Sequence, residues 1–446
     1  MSKSPLCLRA VNDGGVLAYR GIRYAALDGG ARFAAAVPAS GQLDTARLAD
    51  VPVFPQLPSR LASAMGTGAE NPQTEDAFYL NVWAPDGAEQ LPVLIFIHGG
   101  AWMTGGGSNE WYDGARLSAQ GLVVVTVNYR IGAVAHLAPV GAEHRPLQDL
   151  LLALQWVREN IRGLGGDPDR VTVAGQSAGG WYGHLLSLLP EAKGLLRRVA
   201  HLSMGTRSPW EPGHAARVRA AAASHLAPST LAAAPTPELL RAGSRGLAEN
   251  AGTRPLGYAA SGYLPTAAPN IPEHFLDPDW AAARCHAEAV YLRYTADETG
   301  MFFFNSEPEL GAGEAEADAF LASLPEADRP PLQLAGLSPY EQLVSASSWV
   351  QFQRFPTELA EAYSAKGIAA SLHVFSHRSA LPGLLSGHCL DLPFQFGNRE
   401  AWADAPMLHG LDDDEFEELA GELISELSEF AAGSSNQAIP TADGRA

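Results

Sequence analysis

Five short runs of this chain are apolar almost without interruption: Val93-Leu-Ile-Phe-Ile97, Leu122-Val-Val-Val-Thr-Val127, Val171-Thr-Val-Ala174, Glu288-Ala-Val-Tyr-Leu292 and Ser371-Leu-His-Val-Phe375. A strand with one face in water alternates apolar and polar positions. A run without alternation predicts a strand covered on both faces, hence a mostly parallel central sheet flanked by helices. Between the runs, Leu147, Leu150, Leu151, Leu154 and Val157 fall on one face of a helix predicted from Leu147 to Ile161. Near the end, Phe416, Leu419, Leu423, Leu427 and Phe430 repeat that spacing behind Asp412, Asp413 and Asp414, where carboxylates favour a helix start. Such a stripe serves either a dimer contact or the chain's own core, and the second reading is favoured.

The segment 205–285 differs from its surroundings in being rich in alanine, proline and arginine. It reads as an insertion over the sheet that contributes to a substrate pocket, and 307–366 reads as a second helical insertion. Residues 1–432 are expected to form a single α/β unit, and the polar stretch 433–446 a disordered tail.

Composition narrows the partners. The chain has 446 residues with 30 Lys and Arg against 49 Asp and Glu, a formal charge of −19, and no basic cluster longer than a pair. Nucleic acid and anionic membrane surfaces are therefore excluded as partners. The N-terminus has no apolar signal core, and no segment is long enough to span a bilayer. Three widely spaced cysteines, Cys7, Cys285 and Cys389, make no disulfide framework and no metal-ligand spacing. A cytoplasmic protein without metal or cofactor is the expectation, as a monomer or a homodimer.

Candidate chemistry starts at the third apolar run, which feeds directly into Gly175-Gln-Ser177-Ala-Gly179 and then into a helical pattern. Such a strand-turn-helix lifts a serine hydroxyl clear of the sheet, and the flanking glycines are needed because a Cβ would collide across so sharp a bend. Serine is a weak nucleophile unaided, so a base, an orienting acid and an oxyanion hole must be supplied elsewhere. Behind the first run, His98-Gly-Gly-Ala-Trp102 offers small residues whose N–H groups can approach a reacting carbonyl oxygen, and the N–H of Ala178 would complete the hole. The order of these parts is that of an α/β-hydrolase.

Several motifs in sequence then resemble the type-B carboxylesterase family, which includes bacterial p-nitrobenzyl esterases and the cholinesterases. They are Gly21-Ile-Arg-Tyr-Ala25 with Arg32-Phe33, Glu75-Asp-Ala-Phe-Tyr-Leu-Asn-Val-Trp83, Asn128-Tyr-Arg130, Ala153-Leu-Gln-Trp-Val157 and Gly165-Gly-Asp-Pro168. The match is dense over 20–185 and thin over 205–285. It implies that Glu298, in Asp297-Glu-Thr-Gly300, is the triad acid, with Asp297 the competitor, and that His388, in Gly387-His-Cys-Leu-Asp391, is the base. Asp391 is too near His388 in sequence to face its ring. The resemblance also implies oxyanion donors at Gly100, Ala101 and Ala178, and structural ion pairs Arg32–Glu75 and Arg130–Asp149. The Gly-Gly-Ala loop resembles that of esterases which tolerate bulky alcohols.

Departures from the family pattern matter too. Gln176 stands where many members carry glutamate, which removes a charge from the pocket floor and weakens any case for a cationic substrate. Ala77 stands where a disulfide cysteine is frequent. Cys389 replaces a common glycine, its thiol expected to point away from the base. His373 and His377 have no partner spacing, and Phe302, Phe303 and Phe304 read as core with one pocket wall. Trp102 and Trp181 are candidates for lining the substrate pocket. The chain is thus expected to be a serine carboxylesterase of bacterial type, acting on small-molecule esters through Ser177, His388 and Glu298 and an acyl-enzyme. The alternatives are a catalytically silent, cholinesterase-like binding protein and an amidase or carbamate hydrolase using the same triad.

Overall fold

The computed structural model describes residues 8–434 apart from 140, 143, 261 and 331–333, so most of the expected polar tail lies outside the described residues. Among these residues nine strands form one sheet: β1 (Val11–Asp13), β2 (Val16–Arg23), β3 (Tyr79–Pro85), β4 (Leu91–Ile97), β5 (Val123–Val127), β6 (Gly166–Gln176), β7 (Arg198–Leu202), β8 (Ala289–Thr295) and β9 (Ala369–Phe375). Their order across the sheet is β1-β2-β3-β5-β4-β6-β7-β8-β9. The β1–β2, β2–β3 and β3–β5 pairs are antiparallel, and every pair from β5 onward is parallel.

The apolar runs of the central strands have the meaning expected of them, whereas that of β9 is corrected: as the edge strand it leaves Val374 exposed and His373 half-buried. Along β4, Val93, Ile95 and Ile97 enter one hydrophobic core while Leu94 and Phe96 enter the other. Along β5, Val123, Val125 and Val127 face the first core and Val124 the second. Strands β2, β3 and β7 carry no such run. Polar residues that the fold buries interrupt the last two: Asn81 in β3 and His201 in β7.

The helix predicted from Leu147 to Ile161 spans Arg145–Asn160, with Pro146 in its first turn, where a missing N–H costs nothing. Leu147, Leu150, Leu154 and Val157 are buried, whereas Leu151 is only half-buried. The last helix, Asp413–Ala432, is capped by Asp412, whose side chain accepts from Glu415 N at 2.8 Å. It packs on the chain's own core, Phe416 against Phe394 and Phe430 against Tyr291. Within 205–285 the helices Pro212–Ser224 and Thr236–Asn250 cross closely at Gly246, where a Cβ would come within 2.8 Å of Ala222 N. Within 307–366, Pro339–Ser348 runs through a π-helical turn, Trp349–Gln353, into Arg354–Ala365.

Both ion pairs implied by the family motifs are present. Arg32 Nε lies 2.9 Å from each carboxylate oxygen of Glu75. Arg130 and Asp149 are fully buried and doubly bonded, Nε–Oδ2 at 2.8 Å and Nη2–Oδ1 at 2.6 Å, while Arg130 Nη1 donates to Ala34 O at 2.7 Å. This pair ties the exit of β5 to the helix behind it. Arg130→Met would leave the Asp149 carboxylate buried and uncompensated, an expected loss of about 3–5 kcal/mol. The measurement is the guanidinium midpoint of unfolding, and Arg130→Met/Asp149→Leu should recover most of the loss.

Candidate active site

Ser177 sits between the end of β6 and the helix Ala178–Leu188 with φ 53° and ψ −116°, a backbone conformation that a non-glycine residue adopts only when its surroundings force it. The surroundings are visible. A Cβ on Gly175 would run into the carbonyl of Gly179, and one on Gly179 into the carbonyl of Ile97 at the end of β4. Ser177 N donates to Leu202 O at 2.9 Å, which pins the bend to the end of β7. The serine is half-buried, and its Oγ has no hydrogen-bond partner among the described residues.

The loop leaving β4 passes directly over this bend. A Cβ on Gly99 would lie 3.1 Å from Ser177 Cβ and 2.9 Å from Gln176 O. Three successive residues then take positive φ: Gly100 at 116°, Ala101 at 53° and Trp102 at 58°. The turn is closed by Met103 N and Thr104 N, which donate to Gly100 O at 2.9 and 3.0 Å. Among the described residues the N–H groups of Gly100, Ala101 and Ala178 find no acceptor, so all three remain free for a ligand oxygen. His98 is a scaffold residue. It is buried, its Nδ1–H donates to Gly99 O at 2.7 Å, its ring stacks on Tyr129, and burial lowers its pKa to about 4.

Glu298 and His388 meet at the far side. Glu298 is fully buried in the turn after β8, where Oε1 accepts from Thr295 N at 2.9 Å and Oε2 faces His388 Nδ1. The two segments are also joined by His388 N donating to Glu298 O at 2.9 Å. Asp297 is turned away from the ring: its Oδ2 accepts from Ser386 N at 3.2 Å and its N–H donates to Ser386 O. Asp391 forms a buried pair with Arg293, at 2.8 Å from Nη2 and 3.2 Å from Nε. Neither of these acids contacts the His388 ring.

On its other edge, His388 Nε2 lies 3.3 Å from Gln176 Nε2, one residue before the serine. Ser177 and His388 are not hydrogen-bonded here; such bonds are commonly long in ligand-free sites and shorten when the reacting complex forms. Burial opposes a charged His388 ring, but the Cys389 sulfur and the Glu298 carboxylate outweigh it and hold the pKa well above its ordinary value. The expectation for Cys389 is corrected: its residue adopts φ 70°, which turns the thiol back toward the base, and its Sγ accepts from Gln176 Nε2 at 3.2 Å.

Trp102 is near Ser177, with a Cβ on Gly205 falling 3.7 Å from its ring and 4.0 Å from Ser177 O. Trp181 is corrected as a pocket wall. It has no exposed surface, donates its Nε1–H to Arg207 O at 3.0 Å and supports Trp102 edge-on from behind. The rings flanking His388 are Phe302 at 5.4 Å and Phe352 at 4.9 Å. Phe352 escaped sequence reasoning because its place depends on the π-helical turn, which no residue pattern announces. His373 stacks on Tyr291 and lies 3.7 Å from Glu426, while His377 lies 3.6 Å from Glu415; these contacts involve none of Ser177, Glu298 and His388. Among the described residues no cluster of side chains could hold a metal ion, and no helix is long and apolar enough to cross a membrane.

A sheet with a serine elbow behind β6 and a histidine–carboxylate pair behind its far strands defines an α/β-hydrolase. Residues 8–320 match the carboxylesterase family, and the chain belongs to it. It is 31% identical over 428 residues to a probable N-octanoylanthranilate hydrolase of Rhodococcus erythropolis, covering 91% of this chain and 86% of the relative. Against the para-nitrobenzyl esterase of Bacillus subtilis it is 41% identical over 210 residues, 45% of this chain and 42% of that one. A solved PNB esterase superposes with a TM-score of 0.75 at 27% identity, covering 96% of this chain and 89% of its own. The protein is a carboxylic ester hydrolase of the α/β-hydrolase fold.

The Glu298 contact carries a titration prediction. Removing the carboxylate withdraws the charge that favours the imidazolium, so Glu298→Gln should lower the His388 midpoint by about one to three pH units, read by NMR of ring-labelled histidine. An unmoved midpoint would show that Glu298 does not set the basicity of the ring.

Proposed function

We propose that ester hydrolysis in this protein runs through Ser177, His388 and Glu298 by way of an acyl-enzyme. His388 Nε2 takes the hydroxyl proton as Ser177 Oγ attacks the ester carbonyl, and Glu298 holds the Nδ1–H tautomer and stabilises the imidazolium without itself taking the proton. The developing oxyanion is received by the N–H groups of Gly100, Ala101 and Ala178. Collapse expels the alkoxide, which leaves with the proton from His388, and a water activated by the same ring then releases the acid. The observation that carries this reading is the Glu298 carboxylate on His388 Nδ1, with the opposite ring nitrogen turned to the elbow residue Gln176. Residues up to 432 act as one unit in this reading, with 205–285 and 307–366 supplying pocket walls.

One observation favours a second substrate class. The relative from Rhodococcus erythropolis carries a name that denotes an N-acyl compound, whose hydrolysis breaks a C–N bond, and it aligns over most of this chain. The same three residues serve either bond, because only the leaving atom that accepts the proton differs.

An active-site phosphonate should label the wild-type protein stoichiometrically and leave Ser177→Ala unlabelled. The same variant should lose about 10⁴-fold or more in kcat on p-nitrophenyl esters. Equal labelling of the variant would remove Ser177 from the mechanism. Matched ester and anilide substrates of one acyl group then decide the bond class, and a higher kcat/KM on the anilide would replace the esterase reading by an amidase one.

A further inference from the structure

The loop that carries two of the three free N–H groups is under conformational strain. Two consecutive non-glycine residues, Ala101 and Trp102, hold left-handed φ values, a strained backbone that persists only where neighbouring structure imposes it. Within the loop, Gly100 O closes the turn through Met103 and Thr104, so 100–104 behaves as one piece hinged at its two ends. The entry is fixed by β4 and by the His98 bond to Gly99 O. The exit is Gly105, with φ 100°, packed so tightly on the entry that a Cβ there would come within 2.6 Å of His98 Nδ1 and 2.7 Å of Gly99 O.

A residue from a distant segment grips this exit. Gly105 N donates to Gln56 Oε1 at 2.6 Å, and Gln56 Nε2 donates back to Gly105 O at 3.0 Å. Both polar groups of the Gly105 backbone are thus held by one carboxamide. Gln56 is itself held: its N–H donates to Gln73 Oε1 at 3.0 Å, and Val53 and Gln73 form a bridge between their two segments. Gln56 and Gln73 also line a cavity of about 820 Å³ shared with Arg32, Glu75 and Thr236.

We propose that Gln56 is a positioning residue for oxyanion stabilisation, setting the aim of the Gly100 and Ala101 N–H groups through its two-point hold on Gly105. The proposal rests on the esterase reading of the site. A donor matters most where charge develops, so misaiming it weakens binding of the tetrahedral state more than of the ground-state ester. Displacements of about 1 Å in such groups cost on the order of 100-fold in rate.

The test is Gln56→Met, which keeps the length of the side chain and removes both hydrogen bonds. The expected result is a fall in kcat of about 10- to 100-fold with KM within about two-fold of wild type. The inhibition constant of an alkyl trifluoromethyl ketone, which forms a tetrahedral adduct on the serine, should rise by the same factor. That of the non-hydrolysable ether isostere of the substrate should not change. A purely structural role would weaken both inhibitors alike or lower only the concentration of phosphonate-titratable sites, and either result overturns the proposal, as does an unchanged kcat. If Gln56→Met does not fold, Gln56→Glu, which keeps the acceptor for Gly105 N and loses the donor, is read by the same criteria. A wild-type protein that neither turns over esters nor binds the ketone would sink the esterase reading itself, and the Gln56 assignment with it.

Discussion

Everything in this site hangs on one steric constraint, the left-handed bend at Ser177. A residue with a Cβ accepts that backbone only if the chain on both sides leaves no alternative, and here the two flanking glycines are what permit it. Gly179 lies under the carbonyl of Ile97 and Gly175 under that of Gly179, so β4, β6 and the first turn of the following helix are drawn to a separation that a single methyl group would abolish. That closeness brings Gly99 of the β4 loop against the serine, and it aligns the free N–H at the helix start with those of the loop. The proposed nucleophile and the proposed anion-binding groups are consequences of one packing event.

The proposed base and acid, His388 and Glu298, arrive by a different principle. They come from the ends of strands on the other half of the sheet, at the carboxyl edge where parallel sheets open to ligands. Their loops are short of regular structure and are held by specific polar contacts. Asp297 and Ser386 exchange two hydrogen bonds, His388 N and Glu298 O a third, and the Arg293–Asp391 pair anchors the segment three residues beyond the base to β8. Asp297 and Asp391, next to Glu298 and His388 in sequence, therefore hold these loops in place, which is why neither carboxylate contacts the imidazole.

Much of this was legible from residues alone, and the boundary has a physical basis. The apolar runs of β4, β5 and β6 could be read because burial on both faces leaves no other composition available. β7 could not, because its His201 is polar yet buried, a situation that periodicity assigns to solvent. The elbow was legible through its glycines, since only they fit, and Glu298 and His388 through motifs resembling a known family. Residues whose place depends on another segment were not. Gln56 touches Gly105 across 49 positions of sequence, Phe352 reaches the base by way of a π-helical turn, and the Cys389 thiol points inward because of a backbone angle. In each case the chemistry of the side chain is ordinary and the tertiary geometry gives it its role.

The charge balance of the site follows from the same contacts. A chain with a formal charge of −19 would be expected to burden a buried histidine with several nearby carboxylates. Instead each acid in the neighbourhood has its own partner: Asp391 takes Arg293, Asp297 takes the backbone of Ser386 with Arg378 at 3.6 Å, and Glu298 alone takes the ring. At the one position where a further carboxylate would touch the opposite ring nitrogen, the chain has Gln176, a neutral amide that can only share hydrogen bonds with His388 and Cys389. The Cys389 sulfur and the Glu298 carboxylate raise the basicity of the ring while no carboxylate touches Nε2, so that in the proposed mechanism its proton can be returned to a leaving group from that side. A glutamate at 176 would favour the imidazolium from both sides and oppose that return.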